Sequence, residues 1–181
     1  ELFNTVIDSI AKENISWDFT QGLSGIGWAI NRLILDGGIR CSDKSILEDM
    51  DKIAIRILRL QSYNFDIIVG YLLYGIGRIN PSVKHIRQKT KMALIESIQL
   101  QVYNLLLLSN KHHFSIKQDG LKDFDITWYF PWLLWGLIQL KQLDVAHSLS
   151  EKLISSFLPQ VELIQQNREI HFCNRFFLYL V

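Results

Sequence analysis

The chain has 181 residues, of which 49% are hydrophobic and 20% are charged, so it can bury a sizeable core and does not have the composition of a disordered chain. Lys and Arg number 19 and Asp and Glu number 18, which gives a net charge of +1. This balance gives no support to the classes of protein that bind nucleic acid or anionic membranes through their overall charge.

The two cysteines, Cys41 and Cys173, stand far apart in the sequence. A small secreted scaffold carries more cysteines at closer spacing, so we interpret both as free thiols in a reducing compartment. Residues 1–5 show no basic segment followed by an apolar run, and no signal peptide is predicted. These features predict a cytoplasmic protein. Because residue 1 is not Met, the sequence also fits a piece of a longer chain.

Apolar residues recur at helical spacing along most of the chain, which predicts an all-α protein. Long amphipathic helices are predicted over residues 43–61, 83–109 and 143–157. The breakers at residues 36–38 and 80–82 are predicted to end helices. The buried face of the helix over 43–61 is predicted to consist of Ile46, Met50, Ile53, Ile57 and Leu60.

The longest uncharged stretch runs from Ile126 to Leu140 and includes Pro131. It is shorter than the roughly 20 apolar residues that a membrane-spanning helix needs. We therefore predict a buried core helix here and no membrane span.

The most informative feature is an internal repeat, in which an Asp and an apolar residue precede a helix start rich in Gly or aromatic residues. The three copies begin at Asp18, Asp66 and Asp125. An amphipathic helix follows each copy, so each repeat is interpreted as one helix hairpin. We expect residues 1–181 to form a single helical domain of about three hairpins.

The first copy contains Gly22, Gly25 and Gly27 close together. Because glycine costs up to about 1 kcal/mol inside a helix, this spacing needs a reason. Either the glycines let neighbouring helices approach closely, which we favour, or they leave room for a ligand at the helix start. For the Asp residues that open the repeats, we favour N-caps or first-turn acids over acid–base chemistry.

The segment Gly22–Trp28 resembles the GLxGIG motif of the lanthionine synthetase C-like family. The segments Gly70–Gly77 and Asp125–Gly136 are similar to the next inner-helix motifs of that family, so the resemblance spans most of residues 15–155. It implies a double-layered α/α toroid in which inner and outer helices alternate. Three hairpins would form a partial toroid, about half of such a ring.

The enzymes of this family close thioether rings in peptides, using zinc held by two cysteines and a histidine. Zinc stabilises the thiolate, which is the nucleophilic form of the peptide cysteine. Neither of the family's metal-ligand motifs occurs in this sequence, and its His-Gly motif should fall near residues 129–132, where Tyr, Phe, Pro and Trp stand. The resemblance therefore implies a module for peptide modification, as in lantibiotic biosynthesis. It would bind a precursor peptide or partner protein, would not be catalytic by itself and would hold no cofactor.

Two alternatives stay open. The chain can be half of a zinc-dependent thioether cyclase whose metal site lies outside it. It can also be a carbohydrate-active relative with an α/α barrel, for which two carboxylates would have to face one groove. His171 and Cys173 are weak candidate metal ligands, because no third ligand is evident.

The candidate groove-lining residues come from the three inner-helix starts. They are Asp18, Gly22, Gly25, Gly27, Trp28, Asp66, Gly70, Tyr71, Asp125, Trp128 and Tyr129. The aromatic residues between Trp128 and Trp135 are interpreted as core. The alternative is an aromatic wall, joined by residues such as Trp28 and Tyr74, that binds sugars or extended peptides.

Two further features concern partners. The helix predicted over residues 83–109 starts with a basic run of Lys84, His85, Arg87, Lys89 and Lys91. We interpret this run as a solvated face, with a patch for an acidic leader peptide as the alternative. The apolar residues between 172 and 181 would be exposed at a free terminus, which predicts a homo-oligomer or a ring completed by a partner.

Overall fold

The computed structural model describes residues 19, 22–38, 47–60, 65–111 and 126–166. Within those ranges, the description of side chains leaves out residues 65–66, 108, 110–111, 126–130 and 159–166. All regular secondary structure in the described ranges is α-helical, which confirms the predicted all-α class.

The helices in chain order are α1 (Leu23–Leu35), α2 (Glu48–Arg59), α3 (Phe65–Ile79), α4 (Gln88–Lys111), α5 (Ile126–Gln142) and α6 (His147–Gln166). The amphipathic helices predicted from the sequence correspond to α2, α4 and α6. The stretch that was predicted to be a core helix is α5, which contains Pro131. Within the described ranges, no helix is long and apolar enough to cross a membrane.

The helices pack in two rows. In the first row α1 packs against α3, and α3 against α5; in the second, α2 packs against α4, and α4 against α6. Each helix of the first row also contacts the helix that follows it in the chain, so α1–α2, α3–α4 and α5–α6 form hairpins. This alternation agrees with the hairpin repeat, while the closure of the rows into part of a toroid stays a prediction.

Helix α3 lies at the centre of the packing, and every residue from Ile68 to Ile76 is buried. Its neighbours contribute a continuous set of buried leucine, isoleucine and valine side chains: Leu58, Leu94, Ile98, Val102, Leu105, Leu133, Leu137, Leu140 and Leu153. Each such side chain contributes about 1.5–3 kcal/mol when it is fully removed from water. The hydrophobic effect therefore stabilises the packing of α3 against its neighbours in both rows.

The buried face of α2 agrees with the predicted one in part: Met50, Ile53 and Ile57 are half-buried against the core, and Ile46 lies outside the described residues. Asp51, Ala54 and Leu58 are buried, whereas Leu60 of the predicted face is 50% exposed. Because the prediction followed the large apolar residues alone, it did not place Asp51 on the buried stripe of this helix.

Helix α4 begins five residues later than predicted because a turn follows α3. The side chain of Asn80 accepts a hydrogen bond from the backbone N–H of Ser82 at 2.9 Å, and the carbonyl of Asn80 accepts one from Val83 at 2.9 Å. Asparagine is favoured at such positions because its short side chain can bond to the backbone two residues on. The predicted breaker at residues 80–82 is therefore a turn that extends beyond Pro81.

A left-handed residue after α5 likewise delays the start of α6. Val145 donates to the carbonyl of Leu140 at 3.0 Å, and Asp144 donates to that of Lys141 at 3.2 Å. This pair of bonds is a Schellman motif, and Asp144 occupies its left-handed position with φ of 55°. Gly37 occupies the equivalent position after α1, with φ of 74°.

Replacing Asp144 with Gly should raise the free energy of unfolding by roughly 0.5–1 kcal/mol, because glycine adopts the left-handed conformation without steric cost. Urea denaturation measures the change. The matched control is Gly37→Ala, for which the backbone term alone predicts a loss of about 1 kcal/mol, since no described atom outside the adjoining residues lies within 4 Å of the added Cβ. Equal or lower stability of Asp144→Gly would show that this position is not limited by its backbone conformation.

Candidate functional site

Three aromatic rings from separate parts of the chain meet on the α1–α3–α5 row. The ring of Phe19, which lies ahead of α1, is 5.8 Å from that of Trp28 and 5.5 Å from that of Trp132, measured between centroids. Aromatic pairs in this range contribute about 0.5–1.5 kcal/mol beyond the area they bury. Since the described parts of α1 and α5 show no packing against each other, Phe19 connects them. We call Phe19, Trp28 and Trp132 the aromatic cluster.

The aromatic cluster is half-buried, so its rings combine contact with the core and access to solvent. A fully buried cluster would serve packing alone, and a fully exposed one would have no fixed geometry. Preorganised apolar rings at a surface can bind an apolar or extended ligand with little loss of side-chain entropy. The cluster is therefore the strongest candidate for a binding site among the described residues.

Glycines of the first two repeats position the aromatic cluster. A Cβ atom on Gly25 would overlap the backbone carbonyl of Phe19. A Cβ atom on Gly70 would overlap the Ser24 hydroxyl and would lie 3.1 Å from Cβ of Phe19. Glycine at both positions therefore allows Phe19 to lie close to α1 and α3, in agreement with the helix-packing interpretation of these residues.

Further glycines let helices of the first row pack closely, and one of them, Gly27, also approaches α2 of the second row. A Cβ atom on Gly27 would lie 2.8 Å from Cε2 of Tyr74 and 2.9 Å from Cε of Met50. On Gly136 of α5 it would lie 3.1 Å from Cδ2 of Leu73. The third repeat thus uses its glycine for close packing against α3, as the first repeat does.

A buried ion pair lies between the rows, beside the Gly27 contact. Arg78 of α3 donates from Nε to Oδ1 of Asp51 and from Nη2 to Oδ2, each at 2.8 Å, and both residues are 2% exposed. Tyr74 donates its hydroxyl proton to Oδ1 of Asp51 at 2.7 Å. This bidentate geometry is the strongest form of an arginine–carboxylate interaction.

Two further hydrogen bonds from Arg78 extend the ion pair into a network. Nη1 donates to Oδ1 of Asn31 on α1 at 3.2 Å, and Nη2 donates to the backbone carbonyl of His85 at 3.3 Å. The network therefore joins α1, α2, α3 and the turn before α4. Because a buried charge without partners is costly, these four hydrogen bonds of Arg78 are what allow two charged residues to lie in the core.

The network perturbs the ionisation of its members. Burial, together with the charge of Asp51, raises the pKa of Tyr74 well above its ordinary value. Burial alone would lower the pKa of Arg78, but the hydrogen bonds and charge of Asp51 outweigh it and raise that pKa. Both shifts keep Tyr74 protonated and Arg78 charged, which is the state that the hydrogen bonds require.

This network was not predicted from the sequence, although the sequence contains two signals for it. Asp51 lies at helical spacing from Leu47, Ala54 and Leu58, on the stripe that is buried. Arg78 is the one charged residue in the apolar segment between Ile67 and Ile79. A lone charge in an apolar helix and another on an apolar face suggest partners, but no spacing rule joins residues on different helices.

The candidate groove-lining residues that the structure describes differ in their exposure to solvent. Gly25 and Trp28 are half-buried near Phe19, whereas the buried candidates are Gly22, Gly27, Gly70 and Tyr71. Tyr71 is fully buried in the core, and this burial raises its pKa. The structure thus brings Gly25, Trp28 and Gly70 together around Phe19, while a groove lined by the whole predicted set stays a prediction.

The other candidate residues fall outside the description. Asp18 and Asp125 lie outside the described residues, as do His171 and Cys173. The helices include Asp66, Trp128 and Tyr129, but their side chains are outside the description. Within the described part of the chain, no group of three or more His, Cys, Asp and Glu side chains could hold a metal ion.

The chain was compared with known proteins at three levels. Family models, curated proteins and solved structures each yield no match to this sequence or fold.

Proposed function

We propose that this chain is a lanthionine synthetase C-like module of peptide modification, which binds a precursor peptide or a partner protein and is not catalytic by itself. The aromatic cluster carries the proposal, because it offers preorganised, half-buried rings on the helix row that contains the GLxGIG-like segment. The two-row packing of helix hairpins supports it, since the resembled family alternates inner and outer helices.

The chemistry around the aromatic cluster favours binding over catalysis. Among the residues whose side chains are described, its neighbours Gly25, Gly70 and the Ser24 hydroxyl supply no acid, base or thiol. The charged residues of the nearby network, Asp51 and Arg78, are buried and hydrogen-bonded to each other, so they are not available to a substrate. General acid–base catalysis needs a titratable group within hydrogen-bond reach of the reacting atoms.

Binding of a synthetic peptide that contains one cysteine and one dehydroalanine tests the proposal. Titration should change the tryptophan fluorescence of the protein saturably. Trp132→Leu should weaken binding about tenfold or more, equivalent to about 1.4 kcal/mol, because it removes a ring of the aromatic cluster. Trp135→Leu is the matched control: it removes another half-buried tryptophan of α5, which forms no ring pair among the described side chains.

The outcome of the titration separates the alternatives. If Trp132→Leu and Trp135→Leu bind the peptide equally well, the aromatic cluster is not the binding site. The peptide thiol should stay open to alkylation with and without added zinc. Loss of the thiol at constant peptide mass would mean thioether formation, and the cyclase alternative would replace the binding module. A rise in melting temperature with oligosaccharides but not with peptide would favour the carbohydrate-active alternative.

A further inference from the structure

Helix α4 presents a continuous stripe to solvent along most of its length. Residues 89, 92, 96, 100, 103 and 107 recur at spacings of three and four, so they lie on one face of the helix. Four of them are large apolar residues that are 39–47% exposed: Met92, Leu100, Tyr103 and Leu107. Leu100, Tyr103 and Leu107 adjoin one another on this face, and Glu96 separates them from Met92. A large contiguous apolar patch on a soluble protein often marks an interaction surface.

The N-terminal end of the stripe is basic. From Ile79 to Ile95 the chain contains four Lys and Arg residues and no acidic residue. Lys84, Arg87 and Lys89 are exposed, and Lys89 lies on the stripe itself. The first turn of α4 contains no acidic residue, although the positive end of the helix dipole favours one there. The first turn of α4 therefore adds to the positive potential of the basic residues at this end.

Helix α2 packs beside α4 and widens the basic region. Over residues 48–60 and 80–98, the basic side chains that are not buried outnumber the acidic ones by seven to three. The basic residues are Lys52, Arg56, Arg59, Lys84, Arg87, Lys89 and Lys91, and the acidic residues are Glu48, Asp49 and Glu96. The acidic side chains are already paired, with Glu48 at 3.2 Å from Arg87 and Glu96 at 3.5 Å from Arg59. Asp49 lies 2.9 Å from Lys52.

Two of the basic side chains are available to a ligand. Lys84 and Lys89 form no ion pair with any side chain that the structure describes. Lys89 lies on the stripe, one turn before its apolar part begins, and Lys84 lies in the turn that precedes α4. A cationic end followed by an apolar stripe is complementary to a segment with acidic residues at one end and apolar residues along one face.

We propose that the solvent-facing stripe of α4, together with Lys84, docks an acidic amphipathic segment of a partner protein. Carboxylates of the segment pair with Lys84 and Lys89, and its apolar side chains cover Met92, Leu100, Tyr103 and Leu107. This surface uses residues outside the aromatic cluster, so the proposal is independent of peptide binding there.

The same features argue against two other occupants. A nucleic acid would use the cations but would leave the apolar side chains exposed to water, and the chain as a whole has a net charge of only +1. A second copy of the stripe would offer Glu96 as its acidic residue, and Arg59 already pairs with that residue.

A labelled helical peptide with glutamates at one end and leucines along one face serves as the probe, and fluorescence anisotropy measures its binding to the intact chain. We expect saturable binding that weakens as salt is added. Lys84→Glu with Lys89→Glu should weaken it about tenfold or more, and so should Leu100→Ser with Tyr103→Ser. Arg32→Glu and Leu33→Ser change exposed residues of α1 and should leave binding unchanged.

Several results would overturn the proposal. Failure of the glutamate peptide to bind would do so, as would equal binding of a peptide with lysine in place of every glutamate. Single-stranded RNA that binds more tightly than the peptide would point to a nucleic-acid surface instead. A dimer in sedimentation experiments that Leu100→Ser abolishes would assign the stripe to self-association. Circular dichroism of each variant checks that loss of binding does not reflect loss of fold.

Discussion

Replacing Arg78 with Met should lower the free energy of unfolding by about 3–5 kcal/mol, because the carboxylate of Asp51 would stay in the core without its counter-charge. The hydroxyl of Tyr74 would still donate to Asp51, but one hydrogen bond does not offset the desolvation of a full charge. Asn31 and the carbonyl of His85 would also lose a donor. Urea denaturation monitored by circular dichroism measures the loss.

Two controls separate the buried charge from a general effect of mutation. Adding Asp51→Leu to Arg78→Met removes both charges, so the double variant should be more stable than Arg78→Met alone. Arg32→Met breaks an exposed pair with Asp36 on α1 and should cost at most about 0.5 kcal/mol. A loss below about 1 kcal/mol for Arg78→Met would contradict a network in which the ion pair is buried and hydrogen-bonded.

Replacing Gly25 with Ala should destabilise the fold by about 1–3 kcal/mol, although alanine is the better helix former by about 1 kcal/mol. The added methyl group would overlap the backbone carbonyl of Phe19, and a backbone atom cannot rotate away as the end of a side chain can. Phe19 would have to move, and its contacts with Trp28 and Trp132 would be lost or weakened. We therefore expect peptide binding to weaken together with stability.

Gly136→Ala is the matched comparison for Gly25→Ala. Among the described atoms, its added methyl group would meet the flexible ends of Leu73 and Ile76, at 3.1 and 3.2 Å. A shift of a few tenths of an ångström relieves this contact, and the gain in helix propensity offsets the cost, so stability should change by less than about 1 kcal/mol. Thermal melting of both variants checks the contrast. If Gly25→Ala is as stable as Gly136→Ala, the close approach of Phe19 does not depend on glycine.

The helices and their order follow from the sequence because apolar spacing at the helical period survives most local irregularities. The residue at which each helix begins is harder to predict from the sequence. Helix α4 begins at Gln88 because Asn80 bonds into a turn, and α6 begins at His147 because Asp144 adopts a left-handed conformation. Both depend on single hydrogen bonds or dihedral angles that apolar periodicity does not report.

The candidate site could be predicted only in part. The repeat identified Gly25 and Gly70 as unusual positions, but their common neighbour, Phe19, depends on how α1 meets α3 in space. Asp51 and Arg78 stand 27 residues apart on different helices, and their pairing follows from tertiary packing. Residues that act through contacts across helices are therefore the part of the site that sequence periodicity leaves out.

Photo-crosslinking tests most directly whether the aromatic cluster binds peptide. The probe is the cysteine- and dehydroalanine-containing peptide with a benzophenone side chain, irradiated with the protein and mapped by mass spectrometry. We predict crosslinks at Phe19 and in the stretches around Trp28 and Trp132, which excess unlabelled peptide should suppress. Crosslinks confined to other parts of the chain, or an unchanged yield with Trp132→Leu, would contradict a peptide site at the aromatic cluster.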